Sequence, residues 1–168
     1  MSEKTTNTGS PAGALPKPGQ GVPRPPQAPP AEPVTMGGLL GEMVWLLTQS
    51  PAHRYLFLGD LEWLVMAPML RSQYRVFHSP EGRVLGVALW AHVSAEVDAR
   101  LSAGVQRLAP DDWASGEILW LVEMIAPFGG AEGLFSELLQ TVFKGKTVKF
   151  HSIDAQGKRV VRKIDPNK

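Results

Sequence analysis

Apolar residues recur at one-face helical spacing at Leu39, Leu40, Met43, Val44 and Leu47. The pattern stops at Ser50-Pro51, where proline excludes its predecessor from helical backbone, so a first helix is predicted over 36–49. A second helical pattern starts at Asp60, a candidate N-cap, and runs through Leu61, Leu64, Val65 and Met69, with Pro68 placed to kink or shorten it. Strand signals follow. Tyr74 to His78 and Arg83 to Trp90, separated by the turn Ser79-Pro80-Glu81-Gly82, predict two antiparallel strands. Ser94 can cap a helix over 95–107 that Pro110 closes. Ile118 to Ile125 is apolar except for Glu123, the pattern of a central strand buried on both faces. Ala126 to Gly130 break this run, and a helix over 131–143 follows with Leu134, Leu138 and Leu139 inward. Short strands near 147–153 and 158–164 flank a turn at Ala155-Gln156-Gly157. The order α-α-β-β-α-β-α-β-β predicts an α+β fold, a mostly antiparallel central sheet flanked by helices.

Composition divides the chain. Residues 1–34 hold nine of the fifteen prolines and no aromatic or Ile residue, too little apolar surface to offset the entropy of ordering. The expected organisation is a disordered, proline-rich tail over 1–35 and a folded domain over 36–168. The net charge of +1 hides a second division: +1 over residues 1–34, −6 over 35–142 and +6 over 143–168. Such a cationic end suits an acidic partner surface or a solvated sheet edge. With no cysteine, disulfides, thiolate zinc sites and thiol nucleophiles are excluded. The first residues lack an apolar signal core, and no apolar run reaches membrane-spanning length, so a cytoplasmic location is expected, with no membrane span and no nucleic-acid partner.

Glu123 carries the most information of any single residue, because a carboxylate inside an apolar strand needs a partner. It either satisfies the backbone at a strand end or orients a histidine. Of His53, His78, His92 and His151, the last three lie near turns and strand ends, where solvated structural histidines are common. His53 follows a buried helix directly, a rigid support for an imidazole, and an imidazole held by a carboxylate can act as a general base near neutral pH. No histidine pair has zincin spacing, so no metal is expected. Gly129 and Gly130, between the buried strand and a helix, form a tight turn whose amides can face an oxyanion or a phosphate. Trp45, Trp63, Trp90, Trp113 and Trp120 can be core or can line an acyl slot.

Together these segments resemble the toxin-activating lysine acyltransferases, bacterial proteins that fatty-acylate RTX (repeats-in-toxin) protoxins. The resemblance covers roughly 38–153 and is carried by Leu40-Gly41-Glu42-Met43-Val44-Trp45-Leu46 leading into Ser50-Pro51-Ala52-His53-Arg54, by Gln73-Tyr74, by Gly86 to Trp90 with Ser94, by Asp112-Trp113-Ala114-Ser115-Gly116, and by Trp120 to Ile125 continued by Ala126-Pro127-Phe128-Gly129. It implies a fold similar to the N-acetyltransferase (GNAT-like) fold, a cytoplasmic homodimer, and no bound cofactor. The co-substrate would be acyl-acyl carrier protein, a phosphopantetheine thioester, and the acceptor an internal lysine of an RTX protoxin. The resemblance places catalysis on His53 with Glu123 assisting, where the family usually has Asp. It places substrate contacts at Ser50, Arg54, Trp90, Gly129 and Gly130, and gives the basic end (Lys144, Lys146, Lys149, Lys158, Arg159, Arg162 and Lys163, the first three in particular) an acidic carrier to bind. Glu123 is expected to fix the His53 tautomer. The proline-rich tail has no counterpart in the family pattern, and the chain stops soon after Ile164, where members often continue with another helix. Two other classes stay open: a catalytically weak binding module using the tail as a ligand, and an acyl-CoA-dependent N-acyltransferase of another substrate. The absence of a Gln/Arg-x-x-Gly-x-Gly/Ala pyrophosphate loop counts against the second.

Overall fold

A computed structural model describes residues 35–166, and all but the last residue of the proposed tail lies outside the described residues. Helix α1 spans Met36–Gln49; Thr35 caps it by accepting from the Gly38 amide, and the Ser50 amide closes it on the Leu46 and Leu47 carbonyls. Its buried face is Leu39, Met43, Leu46 and Leu47, and each such side chain contributes about 1.5–3 kcal/mol on burial.

The second helical pattern forms a π-helical turn, Glu62–Met66, that runs into a short α2, Ala67–Leu70. Pro68 has no N–H for the preceding turn, and the backbone widens just ahead of it, with the Ala67 amide reaching back to the Glu62 carbonyl. Asp60 differs from the expected N-cap. Its carboxylate accepts from the Phe57 amide and the Trp63 indole, and so ties down the loop that precedes the helix.

Strands β1 (Tyr74–His78) and β2 (Val84–Val93) make the expected hairpin, with β2 continuing past Trp90. Helix α3 (Ala95–Ser102) begins at the expected cap, where Ser94 Oγ accepts from the Val97 amide, but it ends well short of 107. Gly104 turns the chain at φ 97°, with its amide on the Leu101 carbonyl and that of Val105 on the Arg100 carbonyl. A 3-10 turn, Pro110–Trp113, then starts a latch onto β2. Asp112 accepts from the Ala109 amide and from Arg100, Ser115 Oγ accepts from the Ser94 amide, and the Gly116 amide donates to the His92 carbonyl. Only glycine fits at 116, because a Cβ there would lie 2.5 Å from the Val93 carbonyl oxygen.

Strand β3 (Ile118–Ile125), helix α4 (Ala131–Gln140) and strands β4 (Val148–Ile153) and β5 (Arg159–Ile164) complete the domain. The α4 helix ends before the expected 143, and the turn after it returns Phe143 to the core. The sheet has the order β1-β2-β3-β4-β5 and is antiparallel except between β3 and β4, which α4 joins. One face packs against α1 to α3 through Val87, Leu89, Ala91, Trp120 and Ile125. The other packs against α4 through Ala88, Trp90, Leu119, Leu121 and Leu138. The α+β class and the mostly antiparallel sheet thus match expectation. β3 is central, but its burial is complete only at Leu119 to Leu121 and at Ile125; Val122, Glu123 and Met124 are half-buried.

Candidate active site

A register slip in β3 builds the site. Leu89 of β2 opposes Glu123 while the next residue, Trp90, opposes Leu121, which leaves Val122 as an extra residue. In unbroken alternation Glu123 would share the α4 face with Leu119 and Leu121. The bulge turns it onto the face of Leu89 and Ile125, beneath the end of α1.

There it meets His53. The loop after α1 is wound tightly, with the His53 and Arg54 amides both on the Ser50 carbonyl, and the imidazole points inward. His53 Nε2 lies 3.5 Å from Glu123 Oε1, and His53 Nδ1 lies 2.8 Å from Ser50 Oγ. The His53 side chain is 14% exposed and that of Glu123 29%, so the pair is shielded but reachable. The Glu side chain, one methylene longer than the Asp that the resemblance leads one to expect, reaches the ring at ion-pair distance. The expected division of labour changes, because Ser50 and not Glu123 contacts the far ring nitrogen.

The pair opens onto a cleft because β3 and β4 stay together only at Trp120↔Lys149 and Leu121↔Phe150. Past that point the strands part. A cavity of about 310 Å³ on the His53 side is walled by Leu56, Trp63, Leu101 and Trp120, and one of about 360 Å³ on the α4 side by Met124, Phe135, Phe150 and Ile153. Gln106, Val122, Glu123, His151 and Arg159 line both and form the waist between them. A narrow arm entering the cleft would therefore reach Glu123 at the waist, with His53 beside it on the wall of the smaller cavity.

Other expected site residues are distributed differently. Ser50 is buried and in the site, whereas Arg54 is exposed and lies over the Tyr55 ring. Trp90 faces the opposite core, edge-on to Phe143, and lines neither cavity. Gly129 and Gly130 both take left-handed backbone (φ 89° and 77°) at the start of α4, whose first residues, Ala131 and Glu132, line the α4-side cavity. Lys149 is held by Asp98 at 2.7 Å, which also accepts from the Trp120 indole. Lys144 and Lys146 are exposed at the end of β4 away from the cleft, since α4 starts at the cleft and its ten residues carry the chain roughly 15 Å away. Among the described residues no three His, Asp or Glu side chains converge as a metal site.

Two waist residues, Gln106 and His151, carry no site expectation, and Arg159 is expected only as part of the basic, carrier-facing end. His151 Nε2 donates to the Leu101 carbonyl at 2.9 Å, since that oxygen can only accept. Gln106 and Arg159 carry no local motif that would have marked them; their role follows from where α3 ends and where β5 begins. Beside His53 the loop also exposes Tyr55, Phe57 and Leu58 almost completely. Its far end is anchored by Asp60, whose carboxyl is held below its ordinary range first by the Trp63 indole, then by the Phe57 amide, with Arg107 adding to both.

With the fold and site in place, comparison with known proteins identifies the class. The model of the RTX toxin acyltransferase family matches residues 32–166, so the chain belongs to that family. It is 32% identical over 134 residues to the lysine-acyltransferase RtxC of Vibrio cholerae, which covers 75% of this chain and 86% of that protein. It is 33% identical over 100 residues to the RTX-I toxin-activating lysine-acyltransferase ApxIC of Actinobacillus pleuropneumoniae, covering 60% and 58%. To the protein-lysine myristoyltransferase HlyC of Escherichia coli it is 30% identical over 97 residues, covering 58% and 55%. No helix among the described residues is long and apolar enough to cross a membrane.

Proposed function

We propose that the protein is a protein-lysine N-acyltransferase that moves a fatty acyl group from the thioester of acyl-carrier protein to an internal lysine of an RTX protoxin and so activates the toxin. The observation that carries this reading is the His53 imidazole set between the Ser50 hydroxyl and the Glu123 carboxylate at the waist of a cleft between two parting strands. The names of the relatives support the acceptor and the reaction class. The mixed sheet with its parted parallel strands supports a GNAT-like reading of the fold.

A lysine ammonium is not a nucleophile, so the acceptor enters as the neutral amine, its ammonium proton given up to solvent, and a base must take the second proton that it loses on attack. In the working state His53 Nδ1–H donates to Ser50 Oγ, which leaves Nε2 bare toward the cleft. The amine attacks the thioester carbonyl, the C–N bond forms, and Nε2 takes the proton that the nitrogen sheds. The resulting imidazolium lies beside Glu123, whose carboxylate balances its charge. The tetrahedral intermediate collapses with cleavage of the C–S bond, and the leaving thiolate takes the proton from His53. The start of α4, near Gly129 and Gly130, directs a positive helix end toward the cleft, where the oxyanion develops.

Intact-mass spectrometry tests this. A protoxin fragment incubated with fatty-acyl carrier protein should gain one acyl mass on a lysine with the wild-type chain and none with His53→Ala. Transfer from acyl-CoA but not from the carrier would overturn the assigned donor, and binding without transfer would make the protein a binding module.

A further inference from the structure

The cleft needs a surface that delivers the thioester to it, and the lysines after α4 lie at the wrong end of the sheet. β3 and β4 run parallel, so their C-terminal ends, the parted ones, share one end of the sheet with the start of α4 and with the turn from β4 to β5. Lys158 and Arg159 sit in and just after that turn, both exposed. The neighbouring acid, Asp154, is turned inward, accepting from the Gln156 and Lys158 amides, so the turn presents its cations outward.

We propose that the uncovered face of the β4–β5 hairpin, Ile153 and Val161 bordered by Lys158 and Arg159, is the docking surface for the acidic carrier protein that brings the thioester; this rests on the reading of the reaction given above. The pairs Ile153↔Arg159 and His151↔Val161 place all four side chains on the α3 face of the sheet. α3 covers that face only as far as His151 and Lys149, through the Leu101 carbonyl and Asp98. Beyond it Ile153 is 58% exposed and Val161 37%. The surface is continuous with the site, because Ile153 lines the α4-side cavity and Arg159 lines both. An apolar spot edged by cations suits a partner with a small apolar patch in an acidic surround, and opposite charges raise the encounter rate as well as fixing orientation. Docked here, a carrier's arm has its entry to the waist immediately below it. From Lys144 and Lys146 the same arm would first have to cross the length of α4.

The test uses the full chain with purified carrier protein loaded with a defined fatty acid, read by calorimetric binding and by KM. Lys158→Glu combined with Arg159→Glu should weaken binding and raise the carrier KM about tenfold or more, and Val161→Asp should do so by a few fold. The loss should be far larger than for Lys144→Glu combined with Lys146→Glu, and far larger with the carrier than with a free acyl-pantetheine thioester. The salt dependence of binding should flatten in the first pair. Equal loss with both donors would show that Arg159 acts on the arm and not on the carrier, and a greater loss at Lys144 and Lys146 would return docking to α4; either overturns the proposal. A change in sedimentation with carrier binding intact would assign the face to a second copy of the chain. Carrier binding without acyl transfer would remove the enzymatic reading and leave the surface standing. Transfer from the small thioester with no carrier binding would do the reverse.

Discussion

The two halves of β3 are nearly alike in sequence and opposite in use. From Ile118 to Leu121 the strand pairs with β2 throughout and with β4 at Trp120 and Leu121, and Trp120 is fully buried with its indole N–H on Asp98. Past Leu121 it loses β4 and regains β2 at Glu123, and Val122, Glu123 and Met124 become the wall of a cleft. One extra residue and the end of one ladder separate a core strand from one that walls the cleft. Fully satisfied pairing makes stability, whereas a parted ladder exposes backbone and side chains to a substrate.

Substitutions that separate the halves should show this. The largest effect is expected from His53→Ala, which should lower acyl transfer by about a hundredfold to ten-thousandfold while leaving the thermal midpoint nearly unmoved. Trp120→Ala should do the opposite: it empties the paired half and leaves Asp98 and Lys149 without the ring between strand and helix, at a cost of about 3–5 kcal/mol in urea unfolding. Ser50→Ala should lower kcat about tenfold, because the tautomer that leaves Nε2 bare loses its acceptor.

The smallest effect belongs to Asp60→Asn, in the loop anchor. The folded carboxyl titrates below its unfolded value, so its stabilising contribution is present above the ordinary carboxylate range and is lost as pH falls through the folded value. Wild type should therefore be the more stable at neutral pH, and the difference should vanish in acid. A difference that persists in acid would mean that the asparagine disturbs the loop for reasons other than charge.

Much of this molecule is legible from its residues. The α1 helix and its stop at Ser50-Pro51, the β1–β2 hairpin and the β4–β5 turn follow from periodicity and turn chemistry alone. The pairing of His53 with Glu123 came from the resemblance, and the distance of 3.5 Å now gives it geometry. The Val122 bulge left no trace, because apolar residues on both sides of the slip look the same whichever face they take. The shortened α3 had its signal at Gly104, which the helical pattern to 107 overrode. The basic end was visible as charge, but its division between two ends of the sheet depends on α4 reversing the chain, which no local pattern shows.

The central claim is that the bulge makes Glu123 act through His53, and a double-mutant cycle on acyl transfer tests it most directly. His53→Ala, Glu123→Gln and the double variant are compared with wild type at saturating donor and acceptor. Glu123→Gln should slow the wild-type enzyme and have almost no further effect once His53 is gone, a strong non-additivity between residues that work as one unit. Losses that simply multiply would show that the carboxylate and the imidazole act separately, and would contradict the account.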